Sequence, residues 1–254
     1  MLPLLAAVAL GAAPLERART APLDRARAAV FSIIRDGDAA GCDPPQIREA
    51  AAAAEIKTLG RVGGSDVVLA TVEKPCICGN ANCPYYVIQL DPKPRLLYST
   101  FGIALHTIAA SPLPMLVVAA HDSALVIDET TVAYRNGAYA DLRSERVRAD
   151  NGARKPDDVP VRFAPGASST ALRGTASSGW YDAYSFVAQA GQRLILDAHA
   201  KGRIIVTLSS PHVNGVLPLT LGKPLVLPRT ATYRLWIEIE SETGVPYVAT
   251  FTIR

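Results

Sequence analysis

From Val67 to the C-terminus the chain is written in short β-rich runs broken by proline or glycine. Runs of that length and punctuation build antiparallel sheets. Val67 to Val72, Tyr85 to Leu90 and Met115 to Ala120 read as strands. The clearest local signal is Thr131-Val132-Ala133-Tyr134, then Asn136-Gly137, then Tyr139, because an Asn-Gly pair between strand residues specifies a tight hairpin. After residue 160 the pattern continues, with strands expected at 161–164, 170–176, 181–188, 193–199, 203–208, 216–221, 224–227, 231–240 and 246–253. In the longest of these, Tyr233, Leu235, Ile237 and Ile239 alternate with Arg234, Trp236, Glu238 and Glu240. One face of that strand is therefore apolar and the other polar.

The opening of the chain differs. Residues 23–35 place Ala29, Val30, Ile33 and Ile34 on one helical face, and Gly37 and Gly41 should end that helix. Residues 44–57 predict a second helix, with Asp43 as cap, Pro44 in the first turn and a run of alanines behind them. Before both lies the apolar run Leu2 to Leu15, which is too short to span a bilayer. It has the length of a signal-peptide core, and Gly11, Ala12 and Ala13 suit cleavage. No Lys or Arg precedes it. The expected organisation is a leader at 1–20, an α+β module at 21–148, a polar linker at 149–160 and a β-sandwich at 161–254. The fold class is mainly β, α+β overall. No later stretch predicts a transmembrane helix.

Four cysteines, Cys42, Cys76, Cys78 and Cys83, bear on the compartment. Four thiolates can hold zinc, but such sites use paired C-x2-4-C knuckles, and the spacing here is C-x-C-x4-C with one distant partner. An even count behind a leader favours disulfides. Cys76 and Cys78 would leave an extended strand on the same face, too far apart to bridge. The expected pairs are Cys78 with Cys83 and Cys42 with Cys76. Redox catalysis would want C-x-x-C at a helix start, which the chain lacks.

Hydrophobic residues make up 49% and charged residues 19% of the 254 positions, enough to build a core. The net charge of +3 comes from scattered Lys and Arg rather than a basic stripe, so no nucleic-acid partner is expected. The four histidines, His106, His121, His199 and His212, make no metal-ligand spacing. No G-x-S-x-G elbow is present. The Gly60 to Ser65 loop lacks the lysine that phosphate cradling needs. No metal and no cofactor is expected. The candidate binding residues are Trp180, Tyr181 and Trp236. Trp180 and Tyr181 follow Gly179 in a turn, where they either stand exposed as a binding pair or cover one end of the sandwich core. Trp236 is out of phase with the apolar face of its strand.

The second module resembles a known family. Val161-Arg162-Phe163-Ala164-Pro165-Gly166-Ala167-Ser168-Ser169, then Leu172-Arg173-Gly174, Asp182-Ala183-Tyr184-Ser185-Phe186 and Ala188-Gln189-Ala190-Gly191-Gln192 are similar to the signature of periplasmic inhibitors of g-type lysozyme. They also resemble bacterial pre-peptidase C-terminal domains. The resemblance implies a secreted β-sandwich, with Tyr184 and Phe186 in core positions and Gly191 in a turn. Those inhibitors carry an arginine-rich loop before the last strand; here Glu238-Ile239-Glu240-Ser241-Glu242-Thr243-Gly244 is acidic. The first module resembles uncharacterised exported proteobacterial domains through Cys78-Gly79-Asn80-Ala81-Asn82-Cys83-Pro84-Tyr85-Tyr86. Together these readings describe a periplasmic or secreted, non-catalytic binding protein whose partner is an envelope protein or a glycan. The alternatives are a lysozyme-inhibitor-like protein of altered specificity and a hydrolase of unrecognised type.

Overall fold

The computed structural model describes residues 14–38, 41–79 and 81–254, without the side chains of 14–21, Asp38 and Asn214. Residues 1–13 of the expected leader lie outside the described residues. The chain divides into two compact units, one of residues 1–120 with 131–142, the other of residues 121–130 with 143–254.

The first unit opens with α1 (Pro14–Ile33), which widens into a π-helical turn over Ile34–Asp38. α2 (Pro44–Ala53) follows. Its start is closed reciprocally: the Gln46 amide N–H donates to Asp43 Oδ1 and the Asp43 amide N–H donates to Gln46 Oε1, both at 2.8 Å. That satisfies two donors a bare helix end would leave unpaired. The strands are β1 (Glu55–Val62), β2 (Ser65–Thr71), β3 (Cys83–Gln89), β4 (Arg95–Gly102), β5 (Ala104–Ile108) and β6 (Met115–His121). β1 to β4 form an antiparallel meander in sequence order. Alternate residues of β2 and β3 feed two cores. Val68, Ala70, Tyr86 and Ile88 meet Ala26, Val30, Ile34, Ile47 and Ala50 from the helices. Val67, Leu69, Tyr85 and Val87 pack instead with Leu113, Leu116, Val132 and Tyr139.

The second helix ends at Ala53, four residues short of the expected Lys57, and β1 was not foreseen. Gly63 and Gly64 both take positive φ, 57° and 81°, which makes a two-residue hairpin turn. That turn pairs Val62 with Ser65 and Glu55 with Thr71, and the pairing overrides the weak helical preference of residues 55–57.

Both disulfides join the expected partners, Cys42 with Cys76 and Cys78 with Cys83. The first fastens the approach to α2 to the turn at 75–77. That segment is a turn rather than the extended strand assumed in setting aside a Cys76–Cys78 bridge.

β7 (Val126–Arg135) and β8 (Ala138–Arg148) are joined at Asn136-Gly137, with φ of 52° and 85°. Each of these strands begins in one unit and ends in the other. The remaining strands belong to the second unit: β9 (Arg154–Pro156), β10 (Val159–Pro160), β11 (Ser169–Ala176), β12 (Asp182–Ala188), β13 (Arg193–Ala200), β14 (Ile204–Ser210), β15 (Val213–Leu217), β16 (Leu225–Val226), β17 (Ala231–Ile239) and β18 (Val245–Ile253). The polar stretch read as a linker thus carries β9 and β10. The expected strand at 161–164 is irregular backbone between Pro160 and Pro165, although Val161 donates to the Ser185 carbonyl.

Two sheets, ordered β10-β12-β17-β14-β15 and β11-β18-β13-β16, enclose one core. It is filled by Phe186, Leu194, Leu196, Leu208, Tyr233, Leu235, Ile237 and Phe251. The alternation predicted for residues 231–240 holds residue by residue along β17. Among the described residues no helix is long and apolar enough to cross a membrane.

Candidate functional site

Because β17 points Leu235, Ile237 and Ile239 inward, it must point Arg234, Trp236 and Glu238 outward. Register then decides their neighbours. On β12, Ser185 lies opposite Arg234 and Ala183 opposite Trp236. On β14, Ser209 lies opposite Arg234 and Thr207 opposite Trp236. The outer face of this sheet therefore carries a polar row, Ser185-Arg234-Ser209, beside a row centred on an indole.

One end of that face is covered by segments from 121–130, 143–148 and 154–157. Arg146 from β8 is fully buried, with no measurable exposure. Its guanidinium carbon lies 3.9 Å from the centre of the Tyr181 ring and 5.7 Å from that of Trp180. Its nearest acid is Asp157 at 3.8 Å. None of its three guanidinium nitrogens has a hydrogen-bond partner among the described residues. Asp157 serves Arg234 more closely: Arg234 Nη2 donates to the Asp157 carboxylate at 2.6 Å and to its carbonyl at 2.7 Å. Asp128 is half-buried, with one oxygen unpartnered among the described residues. Burial first, then the charges of Asp122 and Asp157, push its carboxyl up to about 6, against the pull of Arg146 and Arg234. Burial likewise raises the Tyr181 hydroxyl.

A second polar chain runs behind. The Lys155 ammonium meets Asp182 at 2.8 Å and donates to the Thr175 carbonyl. Asp182 accepts from Tyr247 at 2.8 Å, and the Tyr247 and Tyr184 hydroxyls lie 2.7 Å apart. Burial lowers the Lys155 ammonium despite Asp182. The same cause raises Tyr247 far above the ordinary tyrosine range. Gly174 makes room for this chain: a Cβ there would stand 1.9 Å from Asp182 Oδ2 and 2.7 Å from the Tyr247 hydroxyl.

The three aromatic residues singled out from the sequence come together here. Tyr181 and Trp236 lie 5.8 Å apart, centre to centre, and Trp180 shares the Arg146 guanidinium with Tyr181. Trp180, however, is not an exposed loop-tip residue. It is only 7% exposed, because a tight turn closed between Ser177 and Trp180 tucks the ring beneath cationic side chains. Arg148 lies 5.9 Å and Lys155 Nζ 5.1 Å from its centre. Tyr181 and Trp236 are partly exposed. Arg146, Asp157 and Asp128 were not foreseen, since nothing in the sequence marks which residue of the basic run 143–148 turns inward. Arg234 was legible, being in phase with Trp236.

Clefts open on this unit among the described residues. One of about 440 Å³ is lined by Asp158, Ser185, Ser209, Thr232, Arg234 and Trp236, together with Ser210, Pro211 and Tyr233. Another, about 210 Å³, lies between Leu125, Arg148 and Trp180. Among the described residues no group of three or more His, Cys, Asp or Glu could hold a metal ion.

No protein-family model matches this chain, and no curated protein sequence does. Solved structures do match in part. The periplasmic inhibitor of g-type lysozyme PliG from Aeromonas hydrophila is 23% identical, over 38% of this chain and 96% of its own, with a TM-score of 0.34. PliG from Salmonella Typhimurium is 20% identical, over 39% of this chain and all of its own, with a TM-score of 0.36. The structural match is to the family whose signature the second module resembles. The rest of the chain lies outside it.

Proposed function

We propose that this chain is an exported, non-catalytic binding protein that takes its partner on the outer face of the β10-β12-β17-β14-β15 sheet. The observation that carries this reading is the 440 Å³ cleft there. Its size falls within the roughly 300–1,000 Å³ typical of ligand sites, and a few polar groups lie beside the partly exposed Trp236. Export is supported by the two disulfides, which persist in oxidising compartments. A non-catalytic role is supported by the fate of the reactive residue types. All four cysteines are in disulfides, and all four histidines are exposed.

A photo-crosslinking residue at Val187 tests the face. Val187 is exposed and lies opposite Thr232 at the cleft rim. Envelope extract should yield a discrete adduct, protein or glycan. That adduct should disappear when Thr232→Tyr fills the cleft, and should not form from Val226 on the other sheet. Equal labelling from both positions, or none, would overturn the reading.

The PliG structures are of inhibitors of g-type lysozyme. In this chain the β17–β18 turn carries Glu240 and Glu242, with Glu240 paired to Arg203 at 3.4 Å and Glu238 accepting from the Gly179 amide. Such a turn offers no cation to a lysozyme cleft. Protection of cells in a turbidity assay with g-, c- or i-type lysozyme would nonetheless replace the partner proposed here.

A further inference from the structure

The cleft beside Trp236 has a chemistry specific enough to name a ligand class. Ser185, Arg234 and Ser209 stand side by side on three adjacent strands, and neighbouring strands are about 4.8 Å apart. Two hydroxyls and a guanidinium are thus presented in a row about 10 Å wide. Thr232 adds a third hydroxyl and Asp158 a carboxylate at the rim. Arg234 is not free to swing, because its Nη2 is held twice by Asp157. Its Nε is buried and has no partner among the described residues. The Ser185, Ser209 and Thr232 hydroxyls make no hydrogen bond with other described residues. Next to this row lies Trp236, partly exposed, with the Arg234 guanidinium 5.6 Å from its centre.

Three ligand types can be weighed against that arrangement. A free anion would want uncompensated positive charge, but Asp157 neutralises Arg234 and Asp158 adds a further negative group. A purely apolar ligand would strand the hydroxyls, each at a cost of about 1–3 kcal/mol. A sugar ring carries hydroxyls that both donate and accept, matching serine and threonine hydroxyls beside a guanidinium and a carboxylate. It also has an apolar ring face for the indole. We infer that this cleft is a saccharide subsite that takes an uncharged sugar, with Trp236 as the apolar wall and Ser185, Arg234 and Ser209 as the polar row. The inference rests on the proposed binding face and narrows its partner to a glycan.

The test is titration of the full chain with maltotriose, cellotriose and chitotriose, and with trigalacturonate as the acidic counterpart, read by saturation-transfer NMR and tryptophan fluorescence. At least one neutral trisaccharide should bind and perturb the indole signal. Thr232→Tyr should weaken it by at least about tenfold, near 1.4 kcal/mol. Ser185→Ala with Ser209→Ala, which adds no bulk, should weaken it by about three- to tenfold with unchanged circular dichroism. Leu125→Ser, at the other cleft, should leave it unaltered. No binding of any neutral trisaccharide, or tighter binding of the acidic one, overturns the saccharide assignment. If the Val187 adduct still forms and is a protein, the binding face stands and only the ligand class falls. If neither sugar nor adduct is seen, both fall.

Discussion

The Arg146 guanidinium lies 3.9 Å from the centre of the Tyr181 ring and touches no solvent. It is held by π-faces and by one acid at 3.8 Å, rather than by hydrogen bonds. Burying a charge in this way is expensive, and an apolar side chain of similar length often does as well or better. Arg146→Met is expected to stay within about 1 kcal/mol of wild type in urea unfolding, or to exceed it. Arg146→Ala should lose about 2–4 kcal/mol through the space left between Trp180 and Tyr181. Equal losses for the two variants would show that the charge itself is required.

Asp128 gives the same region a pH dependence. Its carboxyl sits at about 6 in the folded protein against 3.8 for an ordinary aspartate. The folded state therefore holds the proton more tightly than the unfolded chain does. This contribution to stability is complete below pH 4 and is lost as pH rises through 6. For a half-exposed group it should amount to about 1 kcal/mol after screening. Unfolding free energy measured at pH 5 and pH 7 should show that gain on acidification. Asp128→Asn should abolish it and be the more stable protein at pH 7.

The tyrosine pair behind Lys155 predicts a graded loss. Tyr247→Phe deprives Asp182 of a donor and Tyr184 of its hydroxyl partner, at a cost of about 1–3 kcal/mol. Gly174→Ala drives a methyl group into Asp182 and Tyr247 themselves and should cost more, about 3 kcal/mol or above. Thermal unfolding that ranks the alanine variant as the milder one would contradict the packing described.

The disulfides should differ in weight. They close loops with sequence separations of 34 and 5 residues, which on chain-entropy grounds correspond to about 4 and about 2 kcal/mol. Replacing Cys42 and Cys76 by alanine should therefore lower the denaturant midpoint more than replacing Cys78 and Cys83. The reverse order would point to native contacts at the 79–82 turn as the larger factor.

Much of the second unit was legible because its strands alternate. Once Leu235 and Ile237 point inward, the positions of Arg234 and Trp236 follow without further information. The first unit was harder. Glu55 to Lys57 carry a helical composition, and only the Gly63-Gly64 turn, with the partner strand it creates, makes them β. The face of the site was also half visible. Trp236 could be named from strand phase, and Trp180 and Tyr181 from their place after Gly179 in a turn, but which of that pair is buried could not be read. What covers Trp180 comes from Arg146, Arg148 and Lys155, and sequence distance hides which of many arginines reaches back. Asp157 and Asp128 were invisible for the same reason, since an acid in a turn or an irregular strand looks like surface until a buried cation meets it.

The division of β7 and β8 between the two units bears on how this protein can be cut. A fragment begun at residue 161 would keep every strand of the sandwich but β10, yet it would lack Asp128, Arg146, Lys155 and Asp157. Trp180, Tyr181 and the outer end of the sheet would then face water, and Asp182 and Arg234 would lose their ionic partners. Such a fragment would purify as a sticky, aggregation-prone species, and probing it for ligands would report on a surface that the whole chain never displays. The smallest faithful piece of the second unit begins before Asp122 and carries the Asn136-Gly137 hairpin with it.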